Sequence, residues 1–95
     1  MKLFTLILSC LFVFNISYGQ TVTELLDEAQ KSIKEAFEAN SNIKAPYEYY
    51  KAETFYNIAK EQTSKLHLDA GKAAALKSIE WSLRAISKSY AGGEK

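Results

Sequence analysis

A chain of 95 residues, 47% apolar and 24% charged with a formal charge of +1, describes one small soluble domain and excludes a disordered tail, a collagen-like chain and a multidomain enzyme. With the apolar first 19 residues set aside, about 76 remain (20–95), near the lower limit of what a single core can stabilise. Eleven bases then face eleven acids, so no strong field steers a polyanion to the chain and no nucleic-acid partner is expected.

Met1 and Lys2 give a short positive start, and Leu3 to Phe14 is an almost unbroken apolar run followed by the more polar Asn15 to Gly19. This is the pattern of an export signal. Ser17 and Gly19 are small enough for the two shallow pockets of a signal peptidase, which predicts cleavage between Gly19 and Gln20. As a membrane anchor the run is short of the roughly 20 residues needed to span a bilayer. Ile7-Leu8-Ser9-Cys10 loosely resembles a lipidation site, but the apolar run continues through Leu11 to Phe14, where a true site would end it. Acylated Cys10 is the alternative mature N-terminus. If Cys10 is removed with the signal, no thiol remains and no disulfide can form, so packing alone must hold the fold.

Thr21 and Glu24 fit a capping box at the start of a helix running to about residue 40. Val22, Leu25, Leu26, Ala29, Ile33, Ala36 and Phe37 recur at helical spacing as its apolar stripe. Asn40-Ser41-Asn42 interrupts that pattern. Pro46 then suits the first turn of a second helix, over about 46–67, because its missing N–H is not needed there. In this helix Ala45, Tyr49, Ala52, Tyr56, Ala59, Thr63 and Leu66 alternate small and large along a seam, which suits packing against another helix. Asp69 can cap a third helix, over about 70–89, with Ala73, Leu76, Ile79, Leu83, Ile86 and Tyr90 as its stripe. Gly71 weakens its first turn by up to about 1 kcal/mol relative to alanine, and Ala91-Gly92-Gly93 ends it.

No segment has strand periodicity. The expected fold is all-α, a three-helix up-down-up bundle in which the first and third helices are neighbours. Five acids and two bases on the first helix against four bases and two acids on the third suit that contact, with Lys72, Lys77, Arg84 and Lys88 as partners for the acidic helix.

Ala45-Pro46-Tyr47-Glu48-Tyr49-Tyr50-Lys51-Ala52, with Ala59 and the alanine-rich start of the third helix, resembles a family of small bacterial cell-envelope domains of uncharacterised function. Members are exported or lipidated helical hairpins, some fused to an OmpA-like peptidoglycan-binding domain. The likeness spans roughly residues 43–89 and implies an all-helical fold and an envelope location, periplasmic or extracellular. It carries no catalytic residue. The same spacing resembles one tetratricopeptide-like helix pair, although no second copy occurs at a period of about 34 residues.

No cofactor or metal is expected, because His67 is the only histidine and suits the end of a helix, where its partial charge is favourable. Asp27-Glu28 and Glu35-Glu38 lack a cleft to separate their pKa values. Serines 64, 78, 82, 87 and 89 lack a base in a catalytic pattern and read as solvated helix faces. The chain is therefore read as a non-enzyme.

The aromatic residues are the feature suited to recognition. Tyr47 and Tyr50 lie off the Tyr49 and Tyr56 seam and, with Ile43, could form an apolar patch at one end of the bundle; Trp81 lies off the third stripe, on a line with Ala74, Ser78 and Ala85. The competing reading buries all of these tyrosines between the middle helix and its two neighbours. The function expected is a small exported binding or scaffolding module with a protein partner in the envelope. The alternative is a self-associating structural protein whose second-helix seam pairs between chains. Membrane contact is expected only if Cys10 is lipidated or the signal stays uncleaved.

Overall fold

A computed structural model describes residues 21–92 of the chain. The expected signal, the Gly19–Gln20 junction and Cys10 lie outside the described residues. The fold is all-α, with α1 (Val22–Glu38), α2 (Ser41–Lys44), α3 (Pro46–Ser64) and α4 (Leu68–Gly92) in chain order. The short α2 was not expected as an element of its own.

Local chemistry sets most of the ends. At α1 the Thr21 hydroxyl accepts from the Glu24 N–H at 3.2 Å, and the Thr21 N–H donates to Glu24 Oε1 at 2.9 Å, completing the capping box. Asn40, with φ of 63°, turns the chain out of α1, a conformation that asparagine tolerates better than most residues. Pro46 opens α3 in its first turn. The end of α3 is a Schellman closure: Leu66 has φ of 65°, its N–H donates to the Thr63 carbonyl, and the His67 N–H donates to the Gln62 carbonyl, both at 2.9 Å. Asp69 lies inside the first turn of α4, which begins at Leu68, so it is not the cap. Its carboxylate still complements the positive end of the helix.

Two clusters give the chain direction. Leu25 at the start of α1 meets Ala59 near the end of α3 and Ala74 and Ala75 near the start of α4. Ala36 near the end of α1 meets Ala45 and Tyr49 at the start of α3 and Ala85 toward the end of α4. Hence α1 and α4 run together and α3 runs against them, up-down-up. The longest helix, α4, packs on both of the others, and α1 and α3 touch each other far less.

The buried face of α4 corrects the sequence expectation. Leu76, Leu83 and Tyr90 are exposed, and the residues turned inward are Gly71, Ala74, Ala75, Ser78, Ser82, Ala85 and Ser89. The cause is the alanine row of α3, Ala45, Ala52 and Ala59, all fully buried. Small side chains on both helices let the backbones approach closely, and contact across that short distance replaces the usual leucine layer. Ile79 and Ile86 flank this seam and pack on the core clusters alongside Leu26 and Ile33. Phe37, at the end of the α1 stripe, is exposed, as is Leu66 at the end of the α3 seam.

The serines of α4 also depart from their expected place. Ser78, Ser82 and Ser89 are buried, whereas Ser64 and Ser87 are exposed. A buried hydroxyl is tolerated when it is hydrogen-bonded. Ser78 donates to the Ala52 carbonyl at 2.7 Å, and Ser89 donates to the Ala85 carbonyl at 2.8 Å. With its one proton so used, Ser89 must accept from Ser41, whose hydroxyl lies 2.7 Å away. That bond ties α2 to the end of α4. Ser82 Oγ and Thr63 Oγ1 are buried with no partner.

The charge expectation is corrected in part. Lys77 and Arg84 pair with Glu80 on their own helix, at 3.9 and 2.7 Å. Lys88 reaches Glu48 of α3 at 3.2 Å, not the acidic α1. The first and last helices are neighbours, as expected, through apolar contacts.

Candidate functional site

Tyr47, Lys51 and Phe55 recur every four residues and so form one row along α3. Trp81, at the edge of the buried Ala74-Ser78-Ala85 line of α4, comes up beside that row. The Tyr47 and Trp81 ring centroids are 5.7 Å apart and nearly perpendicular, at 84°, the edge-to-face geometry that aromatic quadrupoles favour. Lys51 Nζ lies 5.7 Å from the Tyr47 ring, 5.9 Å from Phe55 and 5.8 Å from Trp81. Arg84 Cζ lies 4.8 Å from the Trp81 ring centroid. Trp81 is thus approached by two cations, both within cation–π range.

Of the three residues singled out from sequence, Tyr47 and Trp81 are in direct contact. Tyr50 is offset from them and stacks edge-on against Tyr49, with centroids 5.5 Å apart. Tyr47 and Tyr50 then line one shallow groove with Pro46, Lys51 and Thr54. Burial of all the tyrosines is overturned: Tyr47 is 61% and Tyr50 57% exposed, while Tyr49 is buried. Ile43 is exposed on α2, outside that groove's lining. Lys51 was not singled out and Arg84 was read as a partner for the acidic first helix, although each stands one helical turn from an aromatic residue, Tyr47 and Trp81 respectively, which is the spacing that brings two side chains together.

The face is ringed by paired charge. The Lys88–Glu48 pair bridges α3 and α4 beside Tyr47, and Lys77, Glu80 and Arg84 form an ion chain along the exposed side of α4. Lys51 has no carboxylate partner among the described pairs, and its ammonium faces ring surfaces. Amphipathic rings set edge to face, with two guiding cations, can cover a large area of a partner at low entropy cost.

A second groove lies between α1 and α3, where those helices diverge. Ile33, Phe37 and Tyr49 line one part of it and Gln30, Glu53 and Tyr56 another. Burial, then the charge of Glu53 and its hydrogen bonding, and then Tyr50, raise the Tyr49 phenol above its ordinary value. The group is a proton donor of the wall at neutral pH, not a base.

The remaining sequence candidates are dispersed. His67 Nδ1 meets Gln62 Oε1 at 2.9 Å at the exposed end of α3, consistent with a helix-end role. Asp27, Glu28, Glu35 and Glu38 are exposed. Among the described residues no three His, Cys, Asp or Glu side chains are placed to hold a metal ion, and no helix is long and apolar enough to cross a membrane. No protein-family model, curated protein or solved structure matches the chain.

Proposed function

We propose that this chain is a non-enzymatic, exported cell-envelope protein that works as a small helical binding or scaffolding module, holding a protein partner on the face formed by Tyr47, Tyr50 and Trp81. The observation that carries the reading is the contact of exposed Tyr47 with half-buried Trp81, with Lys51 and Arg84 over the rings. Tyr, Trp and Arg are the side chains that dominate binding energy at protein interfaces, and here they lie side by side on two rigid helices. The apolar N-terminal run and the Ala-Pro, tyrosine and alanine spacing shared with envelope domains support the compartment. Membrane contact in this reading is confined to a lipidated Cys10 or a retained signal.

The test is crosslinking of the C-terminally tagged full chain in its native cells, with identification of what it captures. Replacing Tyr47, Tyr50 and Trp81 together with serine should abolish the dominant heterologous adduct while helical circular dichroism is retained. An undiminished adduct from that variant overturns the site. An intact mass beginning at Gln20 supports the export reading, and one beginning at Met1 contradicts it.

Self-association through the α3 seam is the less favoured reading, because Ala45, Tyr49, Ala52 and Ala59 are covered within the chain and Leu66 alone of the seam is exposed.

A further inference from the structure

The outer side of α4 carries an apolar face that the fold does not use. Leu76 and Leu83 are 53% and 55% exposed, and with Ile79, Ser87 and Ala91 they border an open groove. At 100° per residue, Leu76, Glu80, Leu83 and Ser87 fall within about 60° of one another, directly opposite the buried serine and alanine face. Leucines seven residues apart on one line are the repeat by which helices pair. Among the described residues, only Leu25 and Tyr49 of the large apolar side chains are buried, whereas ten are more than a third exposed. A domain of this size with so small a core gains most from association.

The charges on this face select the occupant. Glu80 and Arg84 stand two residues either side of the level of Ser82, about 3 Å each way along the axis. A two-fold axis perpendicular to α4 at that level brings an antiparallel second copy into register. Glu80 of each copy then faces Arg84 of the other, on the same flank, twice. Leu83 lies about 1.5 Å from the axis level, so the two Leu83 side chains meet at the centre, and each Leu76 falls at the level of Lys88 on the opposite helix, about 1.5 Å past Ser87. The face is therefore complementary to itself, as a closed two-fold interface requires. Glu80 holds Arg84 and Lys77 within its own helix, and all three side chains are solvent-accessible, so these pairs can be shared across the contact without burying an unpaired charge.

We infer that the chain forms an antiparallel homodimer through the outer face of α4, with Leu83 at the two-fold axis and reciprocal Glu80–Arg84 pairs beside it. This goes beyond the partner-binding reading. Trp81, with Tyr47 of α3 against it, lies on a different side of α4, and Arg84 and Lys88 border both surfaces, so a dimer presents two aromatic faces to partners and gains avidity without new contacts.

The experiment is light scattering on the tagged full chain as recovered from an exporting host, across about 5–500 μM. The wild type should approach twice the mass of the recovered chain. Leu83→Glu should remain monomeric throughout with unchanged helical circular dichroism, since Leu83 is exposed in the monomer. The stricter arm uses two single variants. Glu80→Arg leaves one chain with two bases at positions 80 and 84, and Arg84→Glu leaves the other with two acids. Each alone should dimerise at least tenfold more weakly than wild type; mixed, they should form a heterodimer at least tenfold tighter than either homodimer. Loss of the helix's own Glu80–Arg84 pair affects both chains alone and cannot produce recovery on mixing. A wild type that stays monomeric at the highest concentration, a Leu83→Glu variant that still dimerises, or a mixture no tighter than its components overturns the inference.

Discussion

Four buried hydroxyls separate side chains that are tolerated from those that contribute. Ser78 and Ser89 each donate to a backbone carbonyl, whereas Ser82 Oγ and Thr63 Oγ1 have no partner. An unmet buried hydroxyl costs about 1–3 kcal/mol, and a satisfied one contributes roughly 0.5–1.5 kcal/mol net. Ser82→Ala should therefore leave the midpoint of chemical unfolding unchanged or raise it, while Ser78→Ala lowers stability by about 1 kcal/mol. Ser89→Ala should cost more than Ser41→Ala, because it strands the buried Ser41 proton, whereas Ser89 keeps its bond to Ala85 when Ser41 is removed. Leu66 is 81% exposed yet holds a left-handed backbone. Glycine is free of the Cβ penalty there, so Leu66→Gly should raise the thermal midpoint, by about 0.5–1 kcal/mol in stability after its greater unfolded-state entropy is counted. Leu66→Ala, which keeps a Cβ, should show no comparable gain. Tyr49 titrates above the ordinary phenol value of about 10. In alkali its unfolded form loses the proton first, so its contribution to stability is complete below about pH 10 and is lost as pH rises through the raised native value. The stability of Tyr49→Phe should fall less steeply than that of the wild type between about pH 9 and pH 11.

Gly71 shows how an element can be chosen against its own propensity. It is buried where a Cβ would lie 3.3 Å from Val22 Cγ2 and 3.5 Å from the Ala59 carbonyl, and would run into Thr63 Oγ1. Alanine gains about 1 kcal/mol of helix propensity, but forcing an atom into a filled contact costs about 1–3 kcal/mol. Gly71→Ala should therefore lower the midpoint of urea unfolding. Adding Thr63→Ala should recover part of the loss, a coupling that a double-mutant cycle detects because the two side chains compete for one space. The starts of α1 and α3 were legible in sequence because capping is local: Thr21 with Glu24, and Pro46, act within one turn; the end of α3 at Ser64, short of the expected 67, and the span of α4 from Leu68 to Gly92, beyond the expected 70–89, were not. Which face of α4 turns inward was not. Two stripes with helical spacing compete on that helix, and the leucines and isoleucines outweigh the alanines and serines in any reading by hydropathy. The buried stripe is decided instead by the small residues of α3 across the interface, with serine hydroxyls that find carbonyls such as that of Ala52. No single-helix pattern contains that information. Tyr47 and Trp81 were legible as aromatics off their stripes, although not as a pair in contact; Lys51 was passed over, and Arg84 was read as an ion partner of the acidic first helix and not as a contact with a ring.

For the whole molecule, the same packing that builds the core also frees the surface. Small residues fill the interior, so large apolar side chains are left outside on two distinct sides, the Tyr47–Trp81 face and the Leu76–Leu83 face. A chain with so few large buried side chains stands near the low end of the stability range, and association that favours the folded state adds to it by mass action. Its thermal midpoint should rise with protein concentration, and Leu83→Glu should remove that dependence, as calorimetry over a hundredfold concentration range would show. The ion pairs contribute little to this balance, since Lys77–Glu80 and Arg84–Glu80 are exposed and such pairs are worth about 0–1 kcal/mol. Their value lies in selecting which surface meets which.

The central claim is that these two exposed faces meet different molecules. The direct measurement is photo-crosslinking in living cells from a crosslinking amino acid placed in turn at Tyr50, at Leu83 and at the exposed control Asn57. The account predicts a heterologous adduct from position 50, an adduct of two copies of the chain from position 83, and neither from position 57. The same adducts from all three positions, or none from 50 and 83, would contradict it.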